Sequence, residues 1–191
     1  MTGSGILPAT IYKNKLHFLF GRESKLDETP GWSDFAGGVE GKDGLMETAV
    51  REGTEELTGF LGTEGELSKL LKKHGVHKVQ WNTYTTHVFP MVYDPALIKY
   101  YNNNQRFLQK HMKPNDMKKY KFFEKAEIRW MPLSEIKKLR YDFRPFYKNV
   151  LDCIMYQKDD IEKFVRKSLK SNGTRRNYSG KRRRYTRKNK R

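Results

Sequence analysis

The stretch from Gly37 to Gly59, GGVEGKDGLMETAVREGTEELTG, is the strongest constraint on how this chain folds. It opens with a glycine turn and continues as a helix carrying Arg51, Glu52, Glu55 and Glu56. Positions i, i+3 and i+4 of a helix share a face, so Glu52, Glu55 and Glu56 gather their carboxylates at one spot. Arg51 compensates part of that charge, and the remainder calls for a cation from outside. Clustered hard oxygen donors suit magnesium or manganese, which also bind phosphate. The competing account is a solvated acidic face with Arg51 as the i,i+4 partner of Glu55. The preceding glycines argue against it, and so does the rest of the helix. Leu45, Ala49, Gly53 and Leu57 recur every fourth residue with Met46 and Val50 beside them, so an apolar face adjoins the acidic one. Small Ala49 and Gly53 let such a helix lie close to a sheet.

The run Gly37, five residues, Asp43, seven residues, Arg51-Glu52, two residues, Glu55-Glu56 resembles the Nudix box, the signature of hydrolases that cleave a nucleoside diphosphate linked to another group. Three positions depart from that pattern. Asp43 stands in place of the usual glutamate, Gly53 in place of a bulky aliphatic, and Leu57-Thr58 add one residue before Gly59. The three glutamates remain. A second stretch, Glu124-Lys125-Ala126-Glu127-Ile128-Arg129-Trp130 followed by a short helix near Ser134 to Ile136, is similar to a strand and helix that Nudix enzymes carry near their C-terminal end. The matching order of parts extends the resemblance from about Ile6 to Leu139.

This resemblance implies an α+β chain folded as an α-β-α sandwich, with a mixed β-sheet between helices. It implies Mg2+ or Mn2+ as cofactor, Glu52, Glu55 and Glu56 as its ligands, and Arg51 as the group that orients the glutamates. Glu56 or the distant Glu124 is implied as general base. Decapping members place a carboxylate six residues before the strand tryptophan, where Glu124 stands relative to Trp130; Glu127 and Glu135 are nearby alternatives.

Read in order, the chain starts with short apolar runs, Ile6 to Thr10, Ile11-Tyr12 and Leu16 to Phe20, broken at Lys13-Asn14-Lys15, which predict a hairpin. Arg22, leaving the second strand, either meets phosphate or is a solvated charge or a salt-bridge partner. Trp32 and Phe35 either pack in the core or face the bound base beside Gly37 and Gly38. Gly65 to His74 reads as a helix, and Lys78 to Tyr93 as one extended run interrupted at Pro90. Asp94 and Pro95 then suit the start of a helix reaching about His111, part of a helical insertion over about 94–118. Lys118, Lys119 and Lys121, interleaved with Tyr120, Phe122 and Phe123, read either as a guarded edge strand or as contacts to phosphates and bases. From Arg144 to about Leu169 the apolar spacing predicts one long helix or two, with Asp159-Asp160 at the break. Cys153, the only cysteine, excludes an internal disulfide and sits where a helix packs.

A chain of 191 residues fits one domain, here residues 1–170, with a tail at 171–191. Apolar residues at 36% are enough for a core. The charge is uneven: thirteen of the 39 lysines and arginines lie from Arg166 onward without an acid, leaving 26 against 22 acids in the body. Arg175, Arg176, Lys181, Arg182, Arg183 and Arg184 belong to this tail, whose composition predicts disorder beyond Asn172-Gly173. A flexible polycation binds RNA through counterion release. The 5′ cap of mRNA, with release of 7-methylguanosine diphosphate, is therefore the expected substrate, and the finer likeness is to decapping Nudix enzymes of large cytoplasmic DNA viruses. Small nucleotides and diphosphoinositol polyphosphates are alternative substrates, and a non-catalytic RNA-binding protein is an alternative class. No apolar run is long enough to span a bilayer, so the expected setting is intracellular and without a membrane partner, in the cytoplasm (a host's, if viral), with nuclear targeting as another use of the tail.

Overall fold

Two residues in the left-handed backbone region, Lys13 (φ 47°) and Asn14 (φ 59°), close the first hairpin. They join β1 (Gly3–Tyr12) to β2 (Lys15–Glu23), with Tyr12 opposite Lys15. A two-residue turn with both φ values positive matches the right-handed twist of the strands it connects. The computed structural model describes residues 2–24, 28–113, 115–116 and 124–179, with side chains as far as residue 171.

Strand β1 lies at the centre of a mixed sheet. One of its edges pairs in parallel with β6 (Tyr84–Pro90), from Gly3 opposite Tyr84 to Ala9 opposite Pro90. The other edge is shared: β4 (Phe35–Gly38) pairs with Gly3 to Ile6 and β2 with Ala9 to Tyr12, both antiparallel. Strands β3 (Trp32–Ser33) and β7 (Lys125–Pro132) add to β2, and β5 (His77–Trp81) adds to β6.

Side-chain alternation along these strands feeds two cores, one on each face of the sheet. Phe18 and Phe20 of β2 enter the first with Trp32, Phe143, Tyr147, Val150 and Ile161. Leu19, between them, enters the second with Ile6, Phe35, Ala49, Leu57, Leu67 and Tyr101. The second is covered by α1 (Leu45–Glu56), α2 (Glu64–His74) and α3 (Pro95–His111). After β7 comes the short α4 (Leu133–Lys138), and α5 (Tyr147–Tyr156) and α6 (Lys158–Ser179) cover the first core. The result is the α-β-α sandwich that the family resemblance implies.

Local chemistry explains the helix boundaries. Thr63 and Glu66 form a reciprocal cap on α2, the Glu66 carboxylate accepting from Thr63 N at 2.9 Å. The Asp94 carboxylate accepts from Ala96 N at 2.8 Å, with Pro95 in the first turn of α3.

Two expectations are corrected. The run from Lys78 to Tyr93 is a hairpin that turns at Asn82 (φ 52°), and its second strand ends at Pro90. The helix break falls at Gln157, and Asp159 and Asp160 occupy the first turn of α6, where acidic side chains favour the helix dipole. The helical backbone of α6 extends to Ser179. Lys181, Arg182, Arg183 and Arg184 lie outside the described residues, as do Lys118, Lys119 and Lys121. Cys153 is half-buried in α5 against the first core. No helix among the described residues is long and apolar enough to cross a membrane.

Candidate active site

Helix α1 reaches its place because its apolar face is small where it meets the sheet. A Cβ on Gly53 would stand 2.4 Å from Ile6 Cδ1, so only glycine allows this approach between α1 and β1 without displacing Ile6. Ala49 and Leu57 of the same face are wholly buried. Seated in this way, α1 turns Glu52 to Gly37 and Glu56 to Ala36 of β4, with Glu55 on the same side near Arg51.

Each glutamate has a distinct environment. Glu52 is buried and accepts from the Arg51 guanidinium at 2.7 Å. Its carboxyl occupies the space that a side chain at Gly37 would need, since a Cβ there would stand 2.2 Å from Glu52 Cδ. Arg51 also donates to Gly38 O at 3.2 Å and to Asp43 at 3.5 Å, and lies 3.9 Å from both Glu40 and Glu55. Burial works against the charge on Arg51, but Glu52, Glu40 and Glu55 hold its pKa above the ordinary value. Four acids around one guanidinium and Glu55's partial exposure leave a surplus of negative charge at the mouth of the site.

Glu56 faces inward. Its carboxylate accepts from Ala36 N at 2.8 Å and pairs with Lys125 Nζ at 3.1 Å. Lys125 is wholly buried, and its Nζ also donates to Ser33 Oγ at 2.9 Å and to Glu23. Glu23 in turn accepts from Arg144 at 2.8 Å. Two carboxylates and two cations thus alternate from Glu56 through Lys125 and Glu23 to Arg144. Burial raises the Glu56 pKa well above the usual carboxylate range; Lys125 opposes this, and the charges of Glu23 and Glu124 add to it. Burial disfavours the Lys125 charge as well, but Glu56 and Glu23 outweigh it and raise the Lys125 pKa. Glu56 is thus a buried carboxyl held in a fixed orientation by the Lys125 ammonium and Ala36 N.

A break in strand register puts Lys125 there. Arg22 is opposite Glu127, yet the next residue, Glu23, is opposite Lys125, so Ala126 is an extra residue in β7. Strict alternation from Glu127 and Arg129 would send Lys125 to the far face; the bulge turns it to Glu56. Sequence reasoning missed Lys125, Glu23 and Arg144 because periodicity alone does not show a bulge.

The other expected site residues separate into groups. Gly37 and Gly38 lie at the glutamates. Glu124 is near enough for its charge to act on Glu56. Trp32 and Phe35 do not line the cleft: they are 3% and 0% exposed and belong to the two cores. Arg22 alternates away from Glu23 and lies over the Trp32 ring at 5.9 Å, paired with Glu127 at 3.4 Å. Arg129 covers the same ring at 5.1 Å and pairs with Glu135 at 3.1 Å. Glu127 and Glu135 are thereby engaged by exposed arginines rather than turned to Glu56. Arg175 and Arg176 fall on the backbone of α6.

Among the described residues no three histidine, cysteine, aspartate or glutamate side chains are arranged to hold a metal ion, because Glu52 is engaged by Arg51 and Glu56 by Lys125. The donor chemistry nonetheless fits a divalent cation: the donors are hard carboxylate oxygens, and the acids around Arg51 outnumber it.

Comparison with known proteins places this architecture. The chain is similar in fold to RenU, a Nudix hydrolase from M. smegmatis, with 13% identity, 84% of this chain and 88% of that chain covered, and a TM-score of 0.51. A C. elegans Ap4A hydrolase binary complex aligns at 11% identity over 83% of this chain and 98% of that one, with a TM-score of 0.48. The NUDIX domain of Shewanella oneidensis NrtR, complexed with ADP ribose, aligns at 10% identity over 84% and 88%, with a TM-score of 0.46. No curated protein matches at a significant level. The NUDIX domain model matches residues 7–152, from the first strand through the glutamate helix and the strand of Lys125 into α5, and the chain belongs to the Nudix domain family.

Proposed function

We propose that this protein hydrolyses a phosphoanhydride with the help of a divalent metal, and that its substrate is the 5′ cap of mRNA, from which it releases 7-methylguanosine diphosphate. The observation that carries the chemistry is the pairing of an acid-rich rim around Arg51 with a buried Glu56 that Ala36 N and Lys125 hold in place. Glu52, Glu55 and Glu56 would hold Mg2+ or Mn2+, which neutralises phosphate charge and acidifies a bound water. Arg51, itself held by Gly38 O, donates to the Glu52 carboxylate and limits it to one orientation. The attacking water gives its proton to a carboxylate oxygen of Glu56, with Glu124 as the second group able to take that role. Lys125 keeps Glu56 in place and remains charged through the step.

The choice of RNA rests on the tail. Thirteen bases without an acid from Arg166 onward bind a polyanionic chain, and a small nucleotide has no need of them. Capped mRNA is a cytoplasmic substrate, and enzymes of the likeness noted above act there. The test compares capped RNA, free cap dinucleotide, small nucleotides and an inositol pyrophosphate under identical magnesium, with products identified. Release of 7-methylguanosine diphosphate, faster from long capped RNA than from the free dinucleotide, is expected. Cleavage of the inositol pyrophosphate with none of capped RNA would contradict it.

A further inference from the structure

Helix α3 has two unlike sides. Its inner side is fixed to the catalytic body. Tyr101 is wholly buried, and its hydroxyl donates to Glu56 O at 2.7 Å. Asn102 accepts from Ile128 N at 2.8 Å and donates to Ile128 O at 3.1 Å, so it satisfies the backbone along the edge of β7 that does not face β2. The outer side is aromatic and basic. Tyr100 and Phe107 are 61% and 60% exposed, far more than core rings. They are seven residues apart, two helical turns or about 10 Å. His111 continues the row, its ring 4.4 Å from that of Phe107. Lys99, Arg106 and Lys110 each precede one of these rings by one residue, so they form a second row about 100° around the helix. There is no acid between Pro95 and His111.

We infer that this outer face of α3 is a binding surface for single-stranded RNA, with bases stacked on Tyr100 and Phe107 and backbone phosphates on Lys99, Arg106 and Lys110. A row of rings beside a row of cations is what an unpaired strand requires, because its bases expose π-faces on one side and its phosphates lie on the other. A protein partner's apolar surface would gain nothing from three cations with no acid among them, so charge favours a polyanion. The inference rests on the RNA reading of the active site and adds to it a path for the chain behind the cap, along a helix whose inner side is tied through Tyr101 to the backbone of Glu56.

The experiment uses the full chain and reads binding without turnover. Uncapped single-stranded RNA carrying 2-aminopurine is titrated into wild type, a Tyr100→Ala/Phe107→Ala variant and a Lys99→Gln/Arg106→Gln/Lys110→Gln variant, with duplex RNA of equal length in parallel. The aromatic variant is expected to lose stacking-induced quenching and about tenfold or more in single-strand affinity, with its salt slope unchanged and duplex binding intact. The charge variant is expected to lower the salt slope by about 2, at roughly 0.7 per phosphate contact. Both should hydrolyse a small nucleotide and unfold as the wild type does, since the replaced side chains are exposed. Single-strand binding unchanged in both variants would overturn the inference. Unchanged RNA binding together with an altered oligomeric state would overturn it in favour of a protein interface. If capped RNA is not cleaved but the aromatic variant still loses single-strand affinity, the decapping reading fails and this one stands.

Discussion

Lys125 carries its charge inside the protein only because Glu23 and Glu56 both need it. Replacing it by Met leaves two buried carboxylates short of a cation, and breaking a buried pair in this way costs about 3–5 kcal/mol. Denaturant unfolding of Lys125→Met should show that loss; wild-type stability would mean that the cluster contributes nothing. Asp34 presents the opposite case. It is wholly buried, accepting from Tyr84 Oη at 2.5 Å and Thr86 Oγ1 at 2.7 Å. Burial, against those hydrogen bonds and the charge of Lys125, pushes its pKa from 3.8 up to about 6. The folded state therefore holds an extra proton between those values, and stability contributed by Asp34 falls as pH rises from about 4 to about 6, then stays level. The drop is about 3 kcal/mol at 1.36 kcal/mol per pKa unit. Unfolding at pH 4 and pH 7 should show that wild type loses about that much more stability than Asp34→Asn over the interval. An equal pH dependence in both proteins would contradict the assignment.

At the level of elements, α1 and β4 are fitted to each other through Gly37, whose missing side chain leaves room for the Glu52 carboxyl. Gly37→Ala should push that carboxyl off Arg51 and lower kcat by about tenfold or more, as misplacement of a positioned catalytic group does. Thermal unfolding should change little, and unimpaired turnover would show that the fit has no role. Much of this was legible in the sequence: the fourfold spacing of Ala49, Gly53 and Leu57 gives the seating of α1, although Leu45 of the same row is exposed, and the i, i+3, i+4 spacing gives the face shared by its glutamates. The ion cluster behind Glu56 was not, because it joins residues up to 121 positions apart and depends on a bulge at Ala126. Trp32 and Phe35 were ambiguous for a related reason. An aromatic residue beside a glycine turn packs or binds according to which strand covers it, and here both are covered.

The whole molecule divides affinity from chemistry. The cations of the tail are remote in sequence from the glutamates of α1, so removing residues 180–191 should weaken RNA binding and flatten its salt dependence while small-nucleotide hydrolysis stays nearly unchanged. Binding titrations at several salt concentrations check this, and an intact affinity and slope would make the tail an address rather than an RNA arm. In the proposed reaction the chemistry belongs to Glu56, and one comparison tests that most directly: single-turnover hydrolysis of capped RNA at fixed magnesium by wild type and by Glu56→Gln, which keeps the size of the side chain and leaves Lys125 paired with Glu23. The rate should fall by about 10²–10⁴ with the fold intact, the usual range for loss of a positioned general base. A Glu56→Gln protein that releases 7-methylguanosine diphosphate as fast as wild type would contradict the account.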